Sequence, residues 1–175
     1  VITTAVRTGP SADTVRDSSQ AFFVGLALRG PEEKATLVTS IADFEAQYGG
    51  YQSYAYLHPT IETFFEEGGT QCYVVRVVGP SATEGKHKLL DSSSGDSMQL
   101  TAVGPGDWSA NMTFTVEAGT VASSVILKLL YYNVQVFTSG NCTTVDQVIG
   151  KINGSAVASK YVTASSLGSN LPAAL

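Results

Sequence analysis

Between residues 21 and 80 the apolar positions trace a small α/β unit. The unbroken run 21–28 predicts a buried strand halted at Arg29-Gly30-Pro31, and 35–39 predicts a second, shorter one. Ser40 stands as an N-cap with Asp43 in the capping-box position, which starts a helix over 41–48 that Gly49-Gly50 ends. Within 56–67, Leu57, Ile61, Phe64 and Phe65 recur at spacings of four and three, so they share one face of a second helix. Pro59 is tolerable only in its first turn, and Gly68-Gly69 terminates it. Residues 71–78 alternate as a strand and stop at Gly79-Pro80.

The texture changes beyond that point. Residues 81–96 read as a polar linker with a short helical or strand piece at Leu89-Leu90. The runs 97–103, 112–118, 125–132 and 133–137 read as strands, 144–152 as a helix with Val145, Val148, Ile149 and Ile152 on one face, and 161–164 as a last strand. Ahead of everything lie Val1, Ile2, Thr3, Thr4, Ala5 and Val6, a β-branched, strand-prone run followed by the turn-like Thr8-Gly9-Pro10. One strand without a hairpin neighbour is not stable alone, so it must pair far away in its own chain or on another molecule. The expected fold class is α+β. An extended arm spans 1–20, an α/β unit of strands with two helices 21–80, a linker 81–96, and a β-rich, sandwich-like unit with one helix 97–175.

Composition narrows the functions this organisation can serve. Charged residues make up 14% and hydrophobic ones 43%, where an average soluble domain carries about 25% charged residues. So neutral a chain suits a real core together with surface hidden against partners. A net charge of −5, with ten scattered Lys and Arg, gives no basic stripe to track phosphates, so no nucleic-acid partner is expected. No apolar stretch approaches the roughly 18 to 20 residues of a membrane span, and no signal peptide is visible at the N-terminus. Cys72 and Cys142 stand in no metal or redox spacing, which predicts free, inert thiols in a reducing compartment.

Candidate chemistry is thin. His58 falls at a helix start and His87 between two lysines of the polar stretch, neither beside a nucleophile. Glu62, Glu66 and Glu67 lie mostly opposite the apolar face of their helix, as a solvated surface does. Counting a calcium loop from Asp91 puts Asp96 at the sixth position and Ala102 at the twelfth, where the EF-hand needs Gly and Glu. No phosphate-binding glycine motif occurs, and the sequons at Asn111, Asn141 and Asn153 carry little weight in a Ser/Thr-rich chain. The residues read as having structural rather than chemical work. Gly25 and Gly30 permit close approach, Phe64 and Phe65 anchor a helix on a sheet, and Gly68 and Gly69 reverse the chain. Pro105-Gly106 is a turn that delivers Trp108 to bury its ring while its N–H finds a partner. No enzyme and no cofactor is expected.

Three ordered stretches carry a resemblance. They are Phe22-Phe23-Val24-Gly25-Leu26-Ala27-Leu28-Arg29-Gly30-Pro31 with Leu37 to Glu45 after it, then Tyr56-Leu57 and Phe64-Phe65-Glu66-Glu67-Gly68-Gly69 running into Cys72 to Val77, then Gly104-Pro105-Gly106-Asp107-Trp108-Ser109-Ala110-Asn111. In this order and spacing the chain resembles the tail sheath proteins of contractile bacteriophages over most of 1–120 and, more loosely, over Lys160 to Ala164. The resemblance implies hexameric rings stacked around an inner tube, contracting to drive that tube through a target envelope. It implies partners in neighbouring copies, the tail tube protein, and baseplate and tail terminator proteins. It implies a place in the virion after assembly in the host cytoplasm, and terminal arms that add strands to neighbouring subunits. Residues 1–6 fit such an arm. In those sheaths the domain that faces the tube and accepts the arms lies largely in the C-terminal part, so the chain is expected to be an N-terminal portion. The sheath of a bacterial injection system or tailocin stands close behind, and a secreted β-rich binding or adhesion module is the alternative from another class.

Overall fold

A computed structural model describes residues 20–174, so the arm read from Val1 to Val6 lies outside the described residues. The first unit comprises β1 (Ala21–Gly25), β2 (Thr36–Val38), α1 (Ile41–Tyr48), α2 (Leu57–Glu66) and β3 (Cys72–Arg76). Its sheet runs β1-β3-β2, with β1 parallel and β2 antiparallel to β3. Both helices pack on one face, where Val38, Phe44, Tyr48, Leu57, Ile61, Cys72 and Val74 form the core. Burying such a side chain stabilises by about 1.5–3 kcal/mol.

The local chemistry behaves as the residues dictate. Ser40 Oγ accepts from the Asp43 N–H at 3.1 Å. The Asp43 carboxylate reaches back one residue further than a capping box, to the Thr39 N–H at 3.3 Å. Pro59 is the third residue of α2, where its missing N–H would have had no helical partner. The first strand is shorter than the run 21–28 predicts, because the chain leaves the sheet after Gly25 and Ala27, Leu28 and Gly30 present their carbonyls to Arg76.

The second unit has two three-stranded antiparallel sheets. One is β4 (Lys86–Leu90), β5 (Asp96–Ala102) and β9 (Val162–Ser166) in the order β4-β5-β9. The other is β6 (Met112–Ala118), β7 (Val125–Tyr131) and β8 (Val134–Thr138) in sequence order. Helix α3 (Val145–Asn153) closes them with Val145, Val148 and Ile152 against Met98, Leu100, Val116, Leu127, Leu129 and Val162. The α+β fold class with a β-rich unit is therefore present. Two expectations are corrected. Within 81–96, read as a linker, Lys86–Leu90 is a strand, held by pairing with β5 rather than by an apolar face of its own. The runs 125–132 and 133–137 are separated by a two-residue turn, with φ of 50° at Tyr132 and 62° at Asn133, the type I′ geometry of a tight hairpin.

Candidate functional site

Two arginines from the first unit meet the second, and the sequence reading gave neither a role. Arg76 is the last residue of β3, on the same buried side as Cys72 and Val74, and is 4% exposed. Its Nε donates to Ala27 O at 3.0 Å and its Nη1 to Gly30 O at 3.0 Å. Nη2 donates to Leu28 O at 3.4 Å and, in the second unit, to Pro105 O at 2.9 Å. Gly30 has a φ of +102°, and a Cβ there would press on Gln47 O and the Tyr48 ring. Gly104, with φ of +85°, lies with its missing Cβ against Gly30 O, so the two backbones touch where only glycine fits.

Arg29 sits beside it, equally buried. Its guanidinium donates to Glu45 O, Gln47 O and, more distantly, Lys160 O at 3.5 Å. It lies over the Tyr161 ring at 4.4 Å and nearer the edge of contact with Tyr131 at 5.9 Å. Trp108 and Tyr131 stack edge-on beyond it. Lys160 Nζ lies 3.7 Å from Asp43 Oδ1, a further tie from α1 to the second unit. Burial pushes both arginines below their ordinary pKa, and no carboxylate forms a salt bridge with either among the described residues. Carbonyls and π faces hold these two charges instead. Trp108 is buried as expected, yet its Nε1 has no hydrogen-bond partner among the described residues, as is true of Tyr131 OH and Arg29 Nε.

The residues read as structural thus separate into two groups. Gly30, Pro31, Pro105, Gly106 and Trp108 gather at this junction around Arg76 and Arg29. Phe64, Phe65, Gly68 and Gly69 form the other end of α2. There Phe64 packs edge-on to Phe23 and covers Gly69 so closely that a Cβ would enter its ring. Gly25 differs from its reading: a Cβ would meet Leu57 at 3.5 Å, ordinary contact, so close packing does not demand glycine.

Other candidates resolve as follows. His58 is buried, with Nε2 at 2.9 Å from Glu45 Oε1 and the ring edge-on to Phe44, a pairing the sequence spacing hid. Asp91 accepts from the Ser93 and Gly95 N–H groups at 2.8 Å each and from Asn170 at 2.7 Å, closing its own turn. The Asn170 bond, then the two backbone bonds, hold its carboxyl below the usual range. Cys72 and Cys142 are free and buried, each in a different core. Among the described residues no cluster of His, Cys, Asp or Glu is placed to hold a metal, and no helix is long and apolar enough to cross a membrane.

The surface of the first unit is its other unusual feature. The face of the β1-β3-β2 sheet opposite the helices carries Phe22, Val24 and Leu37, exposed by 61%, 65% and 41%. Phe22 stacks on Tyr73 there at 5.0 Å. A parallel strand pair is ordinarily covered on both faces, and this one has helices on only one.

Fold comparison assigns this arrangement a kind. A sheath tail protein from Listeria innocua superposes with a TM-score of 0.59 at 12% identity, covering 89% of this chain and 31% of its own. A sheath tail protein from Desulfitobacterium hafniense gives 0.56 at 12% identity, covering 99% and 37%. The fold is that of part of a sheath tail protein. The chain spans about a third of the length of these structures. No protein-family model matches the chain, and no curated protein does.

Proposed function

We propose that this protein is a structural subunit of a contractile tail sheath, acting by assembly into a polymer around an inner tube. The observation that carries the reading is a fold shared with two sheath tail proteins over 89% and 99% of the chain. Two features agree with it. The junction spends its buried arginines on carbonyls that tie one unit to the other, which is mechanical rather than chemical work. The apolar sheet face is the kind of surface an assembling subunit covers.

In this reading subunits form hexameric rings stacked along a tube protein, between baseplate and terminator, in a virion tail built in the host cytoplasm. Contraction drives the tube through the target envelope. Residues 1–6 serve as an arm that adds a strand to a neighbouring subunit. A bacterial injection system or tailocin would use the same subunit in the same way. Negative-stain microscopy of the full-length protein that contains this chain tests the reading: rings or tubes are the expected result, and monodisperse particles at every concentration reject it.

A further inference from the structure

We propose that the cleft between the two sheets of the second unit is a carbohydrate site, which takes a pyranose ring of a short saccharide. The site stands whether or not the chain polymerises.

The walls come from different sheets. One is made by β4 with β5 behind it, the other by β6 and the single turn Asp107–Asn111 that leads into it. Between them lies a space of about 510 Å³, within the range of small-molecule sites. The buried Leu100, Ala102 and Val162 lie beneath it, with Met112 beside them. Gly85 brings the walls together at one point, where a Cβ would enter Ser109 Oγ. His87 of β4 and Phe114 of β6 stack from the two walls, with centroids 5.9 Å apart and planes inclined by 14°. Parallel rings at that separation are offset, so each leaves part of the other's face uncovered.

The charged side chains lining the space are Glu84, Lys86 and Asp107. All three are exposed, and none forms a salt bridge among the described residues. Two carboxylates and one ammonium set up no strong field of either sign, so the site is not built to select an ion. It offers an apolar bed, two ring faces and acceptors for hydroxyl groups. A pyranose is the chemical complement, with C–H groups on its faces and hydroxyls around its edge. Its C–H face packs on His87 and Phe114 by dispersion. Glu84 and Asp107 accept from its hydroxyls in charge-assisted bonds, and Lys86 donates to a hydroxyl oxygen. A peptide strand fits less well, because Lys86 and Lys88 guard the edge of β4 against pairing.

Saturation-transfer NMR on the full-length protein that contains this chain tests the site. The probes are methyl glycosides of glucose, galactose, mannose, rhamnose and N-acetylglucosamine, with maltose, cellobiose and chitobiose, and glycerol as the blank. Transfer to at least one pyranoside, strongest on the C–H groups of one face, is the expected result. His87→Ala and Asp107→Asn change exposed side chains, so circular dichroism and melting should stay as in wild type. Each should weaken calorimetric binding of that sugar by about tenfold or more. Transfer to none of these sugars, or transfer undiminished in both variants, would overturn the proposal. Diethyl pyrocarbonate gives a second readout. It should modify His87 in the free protein and do so more slowly with sugar bound, while the buried His58 stays unreactive. His87 already protected without sugar would assign the cleft to a protein contact and would overturn the proposal.

Discussion

Replacing Arg76 by Met keeps a long apolar stem and removes every donor from the junction. Four carbonyls lose their partner: Ala27, Leu28 and Gly30 in one unit and Pro105 in the other. Three of those bonds are 3.0 Å or shorter, and bonds to a charged donor contribute about 1.5–3 kcal/mol each. Against this, the variant no longer buries a guanidinium, whose desolvation costs several kcal/mol. The balance is a loss of about 3 kcal/mol, which for a domain of this size lowers Tm by about 6–12 °C. Thermal and urea unfolding would be followed by far-UV dichroism and by Trp108 fluorescence, which reports the second unit's side of the junction. Wild type should unfold in one coincident transition. Arg76→Met should melt earlier, and its two signals should separate as the units lose their tie. Arg76→Lys should fall between, since one ammonium cannot span carbonyls on both sides. A loss under about 1 kcal/mol with coincident signals would show that the guanidinium is not what joins the units.

Other expectations are as direct. Gly69→Ala should cost about 1–3 kcal/mol by forcing the Phe64 ring aside, and nearly nothing in a Phe64→Ala background; additive losses in that double-mutant cycle would contradict the contact. Phe64→Ala alone should cost about 3 kcal/mol, the low end for phenylalanine because the ring is only partly buried. The Asp91 carboxyl is depressed on folding, so its contribution is present above the unfolded value of about 4 and lost as pH falls through the folded one. The stability gap between wild type and Asp91→Asn should therefore be widest at neutral pH and close in acid; a gap independent of pH would reject the role. Both cysteines should resist thiol reagents in the native protein and react fully once it is denatured without reductant. Reaction of either in the native state would contradict their burial.

Elements whose own side chains face a core were legible in the sequence. Met112–Ala118 and Ile41–Tyr48 have the bounds that alternation and the Ser40 cap predict. Lys86–Leu90 was not, because Lys86, His87 and Lys88 all face solvent and the strand exists through its partner β5. The hairpin turn was hidden because Tyr132-Asn133 lacks the glycine that marks a type I′ loop. The junction was half legible. Gly30, Pro105 and Trp108 stood out as punctuation, but the arginines that join them did not. A signal for Arg76 was nevertheless present: alternation through Cys72, Val74 and Arg76 places its side chain inward, where a charge must find partners. Arg29 had no such cue, since it follows the end of a strand and its partners Tyr131 and Tyr161 lie over a hundred residues away.

The parallel pairing of β1 with β3 also sets a schedule for synthesis. Ala21 pairs with Cys72, so 51 residues (72 − 21) must be made before the first strand has its partner. At about 5–20 residues per second that is roughly 3–10 s of translation. Met98 pairs with Ser166, so β5 waits still longer, through 68 residues (166 − 98), for one side of its ladder. Throughout the first wait the nascent chain exposes Ala21-Phe22-Phe23-Val24, which has no charge of its own to keep it from the same stretch on a neighbouring ribosome. Many copies translated from one message would meet that hazard together. Yield of soluble protein should therefore depend on expression rate and chaperone supply more than on the stability of the finished fold.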